Sequence, residues 1–240
     1  MSATLRSSLL TLAALGLAAC GSAGIVVGNN HIVSEQRTVP SFNKLSVQYG
    51  IHAELSRGDR EVAITTDQNL MPLIETYVQD DTLFLRVRSN YAVTSTHGIT
   101  AVVNNPTLTA IDASGGSNVN AVATFAADWP IVASGGSTVS VSALQADRVT
   151  IDASGGSHVD AFGLTTDVSV VGSGGSRVST DGLVAENVTV NASGGSILHV
   201  RASKSARGDA SGGSQVSVSG NPATRQISSS GASIVTYGAE

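Results

Sequence analysis

The chain has 240 residues, of which 41% are hydrophobic and 13% are charged, and its net charge is −5. This composition suits one folded domain, or two, and the low charged fraction argues against a disordered acidic tail. The negative charge argues against a nucleic-acid partner, because phosphate binding needs a basic face.

Residues 1–19 predict a secretory signal peptide. Arg6 gives the segment a basic start, and the apolar run Leu9–Ala19 is too short to span a bilayer stably. The segment ends in Leu17-Ala18-Ala19-Cys20, which resembles a bacterial lipobox, and Cys20 is the only cysteine of the chain. An ordinary signal peptide followed by an incidental cysteine is the alternative.

The lipobox resemblance implies a lipidated N-terminus at Cys20, where several acyl chains would give lasting anchorage. We therefore expect the membrane as a partner, through the lipid on Cys20, and a location in the bacterial cell envelope. Gly21 occupies the position where sorting patterns can have Asp, and by that resemblance it favours the outer membrane. Residues 20–38 are then the lipidated cysteine and a flexible tether.

The folded domain is predicted over residues 39–240, and its first part, 39–107, contains short alternating runs typical of β-strands. We expect these strands to continue into the second part, 108–240, as wider coils. A short helical turn is predicted around Leu70–Glu75. Arg57-Gly58-Asp59 is interpreted as a hairpin turn, not as an integrin ligand, and Gln79-Asp80-Asp81 as a second turn.

The second part contains a repeat. Ser-Gly-Gly-Ser recurs at intervals of about 20 residues, and a degenerate copy, Ser-Gly-Ala-Ser, begins at Ser230. A flexible linker has no reason to keep such a period, so these are structural corners. The corner residues of the six full copies are Ser114, Gly115, Gly116, Ser134, Gly135, Gly136, Ser154, Gly155, Gly156, Ser173, Gly174, Gly175, Ser193, Gly194, Gly195, Ser211, Gly212 and Gly213.

The residues that flank each corner alternate between apolar and polar, as in half-buried strands. Ile151 and Ala153 before a corner, and Val159 after it, have counterparts in the other copies. Stacked coils would bury these columns together, whereas a single coil cannot bury its own apolar face. The sequence therefore predicts an all-β fold, a right-handed parallel β-helix (β-solenoid) of about 20 residues per coil. The second serine of each corner, such as Ser157, should form a stacked ladder bonded to neighbouring coils.

Residues 42–90, with Leu45-x-Val47, Gly50-Ile51-His52 and the strand at Asp81-x-Leu83, followed by the Ser-Gly-Gly-Ser coils, resemble a known family. This is the putative auto-transporter adhesin, head GIN domain family, and the resemblance covers roughly residues 40–238. It implies a β-helical, secreted or lipid-anchored bacterial envelope protein with no established catalytic residues. The Gly-Ile-Asn signature would fall at Gly50-Ile51-His52, where this chain has His in place of Asn.

The motifs of several enzyme and ligand classes are missing from the repeats. The nucleophile pattern G-x-S-x-G, the phosphate loop and the nine-residue calcium repeat do not occur there. His31, His52 and His97 do not have metal-ligand spacing. We therefore expect no catalytic residue, no metal and no cofactor.

Stacking brings one polar cluster together. His158 should lie between Thr138 and Arg177 of adjacent coils, with Asp160 on the same outward face. We take His158, Asp160 and Arg177 as a candidate ligand face, although a merely solvated face is the simpler interpretation. A second, partial column of acids and amides is predicted on another strand, at Asp112, Asp152, Asn191 and Asp209.

Two classes of function follow from this reading. The first is a lipid-anchored, non-enzymatic, adhesin-like binding or structural module, with a glycan or an envelope protein as its partner. The alternative is a β-helical carbohydrate-active enzyme of the polysaccharide lyase or hydrolase type. A cleft that gathers His158, Arg177 and acids would favour the enzyme, and a shallow face would favour the binding module.

Overall fold

The computed structural model describes residues 24–238. The predicted signal peptide and Cys20 lie outside the described residues. The first nine strands are β1 (Gly24–Val27), β2 (Ile32–Gln36), β3 (Lys44–Val47), β4 (His52–Ser56), β5 (Glu61–Asp67), β6 (Ile74–Gln79), β7 (Thr82–Val87), β8 (Tyr91–Thr94) and β9 (Thr100–Asn104). A 3₁₀ turn at Met71–Leu73 confirms the predicted helical turn.

The repeat region forms the remaining strands. They are β10 (Ala110–Ala113), β11 (Asn118–Val122), β12 (Phe125–Ala133), β13 (Thr138–Ala153), β14 (His158–Gly172), β15 (Arg177–Ser179), β16 (Leu183–Ala192), β17 (Ile197–Ala210), β18 (Gln215–Ser219), β19 (Thr224–Ser229) and β20 (Ile234–Tyr237). All of their pairings with one another are parallel. The predicted β-solenoid is confirmed, with coils of about 20 residues.

The repeated apolar residues line the interior of the stack. Ile131 pairs with Ile151, and Ile151 pairs with Val170 in the next coil. On the other side of the corner, Val139 pairs with Val159, and all five side chains are fully buried. Each such side chain contributes roughly 1.5–3 kcal/mol when it leaves water. The interior is therefore one continuous core built of columns, one residue per coil.

The corners hold the Gly-Gly pairs in two conformations. In the earlier corners both glycines have positive φ, for example Gly135 at 61° and Gly136 at 78°, as in a type I′ turn. In the later corners only the first glycine has positive φ, for example Gly194 at 65°, as in a type II′ turn. The second position then needs no glycine, which explains why Ala232 is accepted in the seventh copy.

The second serine of each of the six Ser-Gly-Gly-Ser corners is buried. Ser137 Oγ donates to the carbonyl of Ala113 at 2.9 Å, and Ser157 Oγ donates to Ala133 at 3.0 Å. These contacts confirm the predicted serine ladder at several corners. Ser176 and Ser196 depart from it, because their hydroxyls find no partner among residues 24–238.

The first coils are stacked out of chain order. β3 pairs with β7 on one side and with β10 on the other, and β4 likewise lies between β9 and β11. The later coil β7–β9 therefore lies outside the earlier coil β3–β4. Gly50-Ile51 and Gly98-Ile99 take the corner positions of these two coils, and both isoleucines are buried where later coils have serine.

Antiparallel strands cover the N-terminal end of the stack. β6 pairs with β7, and Asp80 and Asp81, both with positive φ, form the predicted turn between them. β5 pairs with β9, and β2 pairs with β5. Because β9 lies between β4 and β5, the Arg57–Asp59 segment is not a hairpin turn as predicted, but a connection that crosses over β9.

The prediction of a flexible tether is wrong for most of its length. β1 pairs in parallel with β8, and β2 pairs with β5. The segment is held because its backbone finds partners in strands far away in the chain, which composition alone does not reveal. Asp67 adds side-chain contacts to this region, accepting from the Asn30 N–H at 2.7 Å and from Ser95 Oγ at 2.7 Å.

Candidate ligand-binding face

The outward side chains of the strands that follow the corners form two parallel columns, which we call the polar face. The first column is Thr100, His52, Asn118, Thr138, His158, Arg177, Ile197, Gln215 and Ile234. The second column is Val102, Glu54, Asn120, Ser140, Asp160, Ser179, His199, Ser217 and Thr236. Most positions in both columns carry a hydrogen-bonding group.

His158 and Asp160 form a pair near the middle of the polar face. His158 Nε2 lies 2.9 Å from Asp160 Oδ2, and both side chains are about one-third exposed. The two side chains point the same way because they are two residues apart on one strand. Arg177 is the direct neighbour of His158 in the next coil, so the predicted stacking order is confirmed.

A second histidine–carboxylate pair lies on the same face, nearer the N-terminus. His52 Nε2 lies 2.6 Å from Glu54 Oε1, and Asn120 Nδ2 donates to the same oxygen at 2.9 Å. Asn118 and Thr138 separate His52 from His158 in the first column. Sequence reasoning rejected His52 as a metal ligand and otherwise noted it only as the last residue of the Gly-Ile-His tripeptide. The spacing His-x-acid directly after a corner, shared with His158, was the signal that could have found this pair.

Towards the C-terminus the polar face is slightly hollow. Arg177, His199, Gln215 and Ser217 surround a shallow depression of about 420 Å³. Arg177 contributes a permanent positive charge, and the other three offer donors and acceptors. Of the predicted trio, only Arg177 lines this depression, and His158 and Asp160 lie beside it on the polar face.

The second predicted column also exists, on the strands that precede the corners. Its order is Asp112, Val132, Asp152, Val171, Asn191 and Asp209. Val132 lies between Asp112 and Asp152, so these two negative charges are two coils apart, and Val171 lies between Asp152 and Asn191. Burial raises the pKa of Asp112 above its usual value.

Asp67 is the described carboxylate with the most donors, and sequence reasoning missed it. Ser95 Oγ and the Thr96 N–H donate to one oxygen, and Thr96 Oγ1 and the Asn30 N–H donate to the other. Burial alone raises the pKa of Asp67, but these hydrogen bonds outweigh it and hold the pKa well below its usual range. A side chain at Gly28 would collide with this carboxylate. Asp67, at the end of β5, therefore joins the loop after β1 to the loop after β8.

The described residues show neither a grouped metal site nor a spanning helix. Between residues 24 and 238, no three side chains of His, Cys, Asp or Glu are grouped closely enough to hold a metal ion. Over the same range, no helix has the length and apolar character needed to cross a membrane.

A family model matches residues 41–222, which include the polar face from His52 to Ser217. Its description is "Putative auto-transporter adhesin, head GIN domain". The chain belongs to this family. The match places Gly50-Ile51-His52 inside the family region, and the structure puts this tripeptide at the corner of coil β3–β4. No curated protein matches the sequence.

Solved structures of other proteins share the fold of this GIN-domain chain. A putative adhesin from Bacteroides fragilis has a TM-score of 0.81 and 19% identity, over 88% of this chain and 99% of that chain. A putative lipid binding protein from Parabacteroides distasonis has a TM-score of 0.67 and 16% identity, over 88% and 99%. A putative adhesin from Parabacteroides merdae has a TM-score of 0.60 and 17% identity, over 90% and 100%. At these identities the likeness shows the fold alone.

Proposed function

We propose that this GIN-domain chain is a non-enzymatic, lipid-anchored envelope protein whose polar face binds glycan chains in an adhesin-like manner. The observation that carries the proposal is the pair of columns: the second is polar at every position from Glu54 to Thr236, and the first is polar from His52 to Arg177. They present donors and acceptors at the spacing of stacked strands, about 4.8 Å, on a rigid support. A polymer with repeating hydroxyl groups suits such a surface, because many weak contacts add along its length.

The two histidine–carboxylate pairs favour a neutral or weakly charged polyhydroxyl ligand. In each pair the carboxylate holds the imidazole ring in place, at 2.6 Å for His52–Glu54 and 2.9 Å for His158–Asp160. Because each residue already has a partner, little side-chain freedom is lost when a ligand arrives. Arg177 adds a cationic donor beside His158 in the next coil.

The family name and the names of similar proteins support an adhesive role, since two of the three proteins described above are named putative adhesins. The envelope location rests on the lipobox-like Leu17–Cys20 and the signal peptide before it. With the lipid on Cys20 as its anchor, the protein would remain at the membrane while the solenoid presents its polar face. Gly21 favours the outer membrane.

The test is capture on immobilised envelope polysaccharides by the soluble chain that starts at residue 22. We expect His158→Ala/Arg177→Ala to lower the apparent affinity about tenfold or more, because it removes two central donors. The matched control is Asp128→Ala/Arg148→Ala. These two exposed residues form an ion pair with an N–O distance of 4.0 Å and do not belong to the polar face, so this variant should bind like the unaltered chain. Equal capture by both variants would remove the polar face as the binding surface. If the chain captures an envelope protein and no glycan, the proposed glycan ligand is wrong.

One observation favours the enzyme as a second candidate, namely that Arg177 lies beside the His158–Asp160 pair. An imidazole can act as a general base or acid, and a neighbouring cation can stabilise the negative charge left when a proton is removed, which is the chemistry of a polysaccharide lyase. The same polysaccharides should therefore be incubated with the protein and assayed for new reducing ends and unsaturated products. Turnover that disappears in His158→Ala would overturn the non-enzymatic proposal.

A further inference from the structure

We infer that the two-stranded ribbon β1–β8 is the surface on which the protein sits against the lipid bilayer. This inference rests on the proposed lipidation of Cys20. It adds a second, direct contact between protein and membrane, and it fixes which end of the solenoid faces the lipid.

The outer surface of the ribbon is apolar and exposed. Ile25 is 75% exposed and Val27 is 62% exposed, and they point to the same side of β1 because they are two residues apart. Neighbouring large apolar side chains that remain in water mark an interaction surface. Their partners across the ribbon are Ala92 and Thr94, which add no charge to that side.

The ribbon as a whole carries no charged residue. Residues 24–28 read Gly-Ile-Val-Val-Gly, and residues 90–94 read Asn-Tyr-Ala-Val-Thr. Burying this surface in the interfacial layer would therefore desolvate no ionised side chain, which is the most costly part of membrane contact.

The ribbon is held in a fixed orientation. On the inner side of the ribbon, Val93 packs against the hydrophobic core. Asp67 ties the loop after β1 to β5 through the Asn30 N–H, and Asn69 Nδ2 donates to the carbonyl of Val27, the last residue of β1, at 2.8 Å. Ile25 and Val27 therefore stay on the outside and do not fold back onto the protein.

The short length of chain before β1 indicates that lipid, and not a protein partner, covers the outer surface of the ribbon. Only residues 21–23 separate Cys20 from Gly24, and four extended steps reach at most about 14 Å. The polar headgroup layer of a bilayer is roughly 5–8 Å thick on each side. An acyl anchor at Cys20 thus brings the outer surface of the ribbon to the bilayer surface, whereas a protein partner would have to share that narrow space with lipid.

The experiment uses the full chain, produced with its own signal and reconstituted in vesicles of phosphatidylethanolamine and phosphatidylglycerol. Cys20 is the only native cysteine, and acylation blocks it, so one introduced cysteine can carry a fluorescent probe. We expect a probe on Val27→Cys to be quenched several-fold more by spin-labelled lipid than a probe on the matched control Ile234→Cys. Ile234 is 56% exposed on the last strand of the solenoid.

The outcomes separate the two proposals. If mass spectrometry shows an acylated Cys20 but the two probes are quenched equally, the ribbon does not seat on lipid while the anchor stands. If Cys20 is not acylated, the anchor itself is wrong, and the inference falls with it. Preferential quenching at position 27 in acylated protein supports both.

Discussion

Gly172 and Leu198 fill one space in the core between them. A Cβ atom added to Gly172 would lie 2.6 Å from Cδ2 of Leu198, which is buried in the next coil. In most other coils the position of Gly172 holds Ala, as at Ala153, and the position of Leu198 holds Val, as at Val178. The extra methylene of the leucine therefore occupies the volume that the missing methyl leaves free.

This relationship predicts a non-additive pair of substitutions. Gly172→Ala alone should lower the free energy of unfolding by about 1–3 kcal/mol through overpacking. In the Leu198→Val background the same change should cost much less, because the colliding methyl group is gone. Urea unfolding of the two single variants and the double variant measures this coupling. An equal cost of Gly172→Ala in both backgrounds would show that the contact is not shared.

The two types of corner predict opposite tolerances at adjacent glycines. Gly194→Ala should destabilise the protein by about 1–2 kcal/mol, because φ is +65° and the new Cβ would meet the Gly174 carbonyl oxygen at 3.0 Å. Gly195→Ala is the matched control, with only one contact at 3.5 Å, and it reproduces the natural Ala232 corner. Thermal unfolding compares them, and similar losses for both variants would contradict the type II′ assignment.

The Asp67 contacts predict a pH dependence located at the N-terminal end. Because the folded state lowers the pKa of Asp67, its stabilising effect is full above the unfolded pKa of about 3.9 and is lost as the pH falls further towards the folded pKa. At pH 7, Asp67→Asn should speed hydrogen exchange in β1 and β8 roughly tenfold or more. The difference from the unaltered chain should shrink in acid.

The control for that experiment is Asp59→Asn, an exposed carboxylate in the β4–β5 connection. It should leave exchange in β1 and β8 unchanged. If Asp67→Asn leaves the hydrogen-exchange rates of β1 and β8 unchanged, strand pairing alone holds these two strands in place.

Asp112 predicts the opposite pH behaviour. Burial raises the pKa of its carboxyl group, so its contribution to stability is full below the unfolded pKa and is lost as the pH rises through the folded pKa. At neutral pH Asp112→Asn should raise the melting temperature by about 1–2 °C, an effect that vanishes near pH 3. Asp152→Asn, in the same column, is the comparison. A neutral-pH loss of stability in Asp112→Asn would show that the charge itself makes a favourable contact.

The repeat half was readable from the sequence because its rules are local. Each corner places a residue such as Val159 at the same distance from its glycines, and stacking then decides every neighbour. The N-terminal half follows no such rule. Whether β4 pairs with the next strand, β5, or with the distant β9 depends on competing pairings far apart in the chain, and alternation alone does not decide it.

The candidate face was predicted in part for the same reason. His158 and Arg177 became neighbours once the period was known. His52, by contrast, lies outside the repeats, and Asn120, which donates to its partner Glu54, comes from another coil. The donors to Asp67 come from two separate loops, so no short stretch of sequence predicts these hydrogen bonds. The ribbon was missed because Gly24–Val27 is too short to signal a strand without its partner β8.

The interleaved coils at the N-terminal end set an order of events in folding. The β3–β4 coil cannot be flanked on both sides until the chain has been made as far as β11, so these segments should become protected together. Beyond β11 each coil has only its predecessor to lie on, and it can be added or peeled away one at a time. Pulled from its two ends, the molecule should unravel in small steps from the C-terminal end and then yield a single larger, cooperative block.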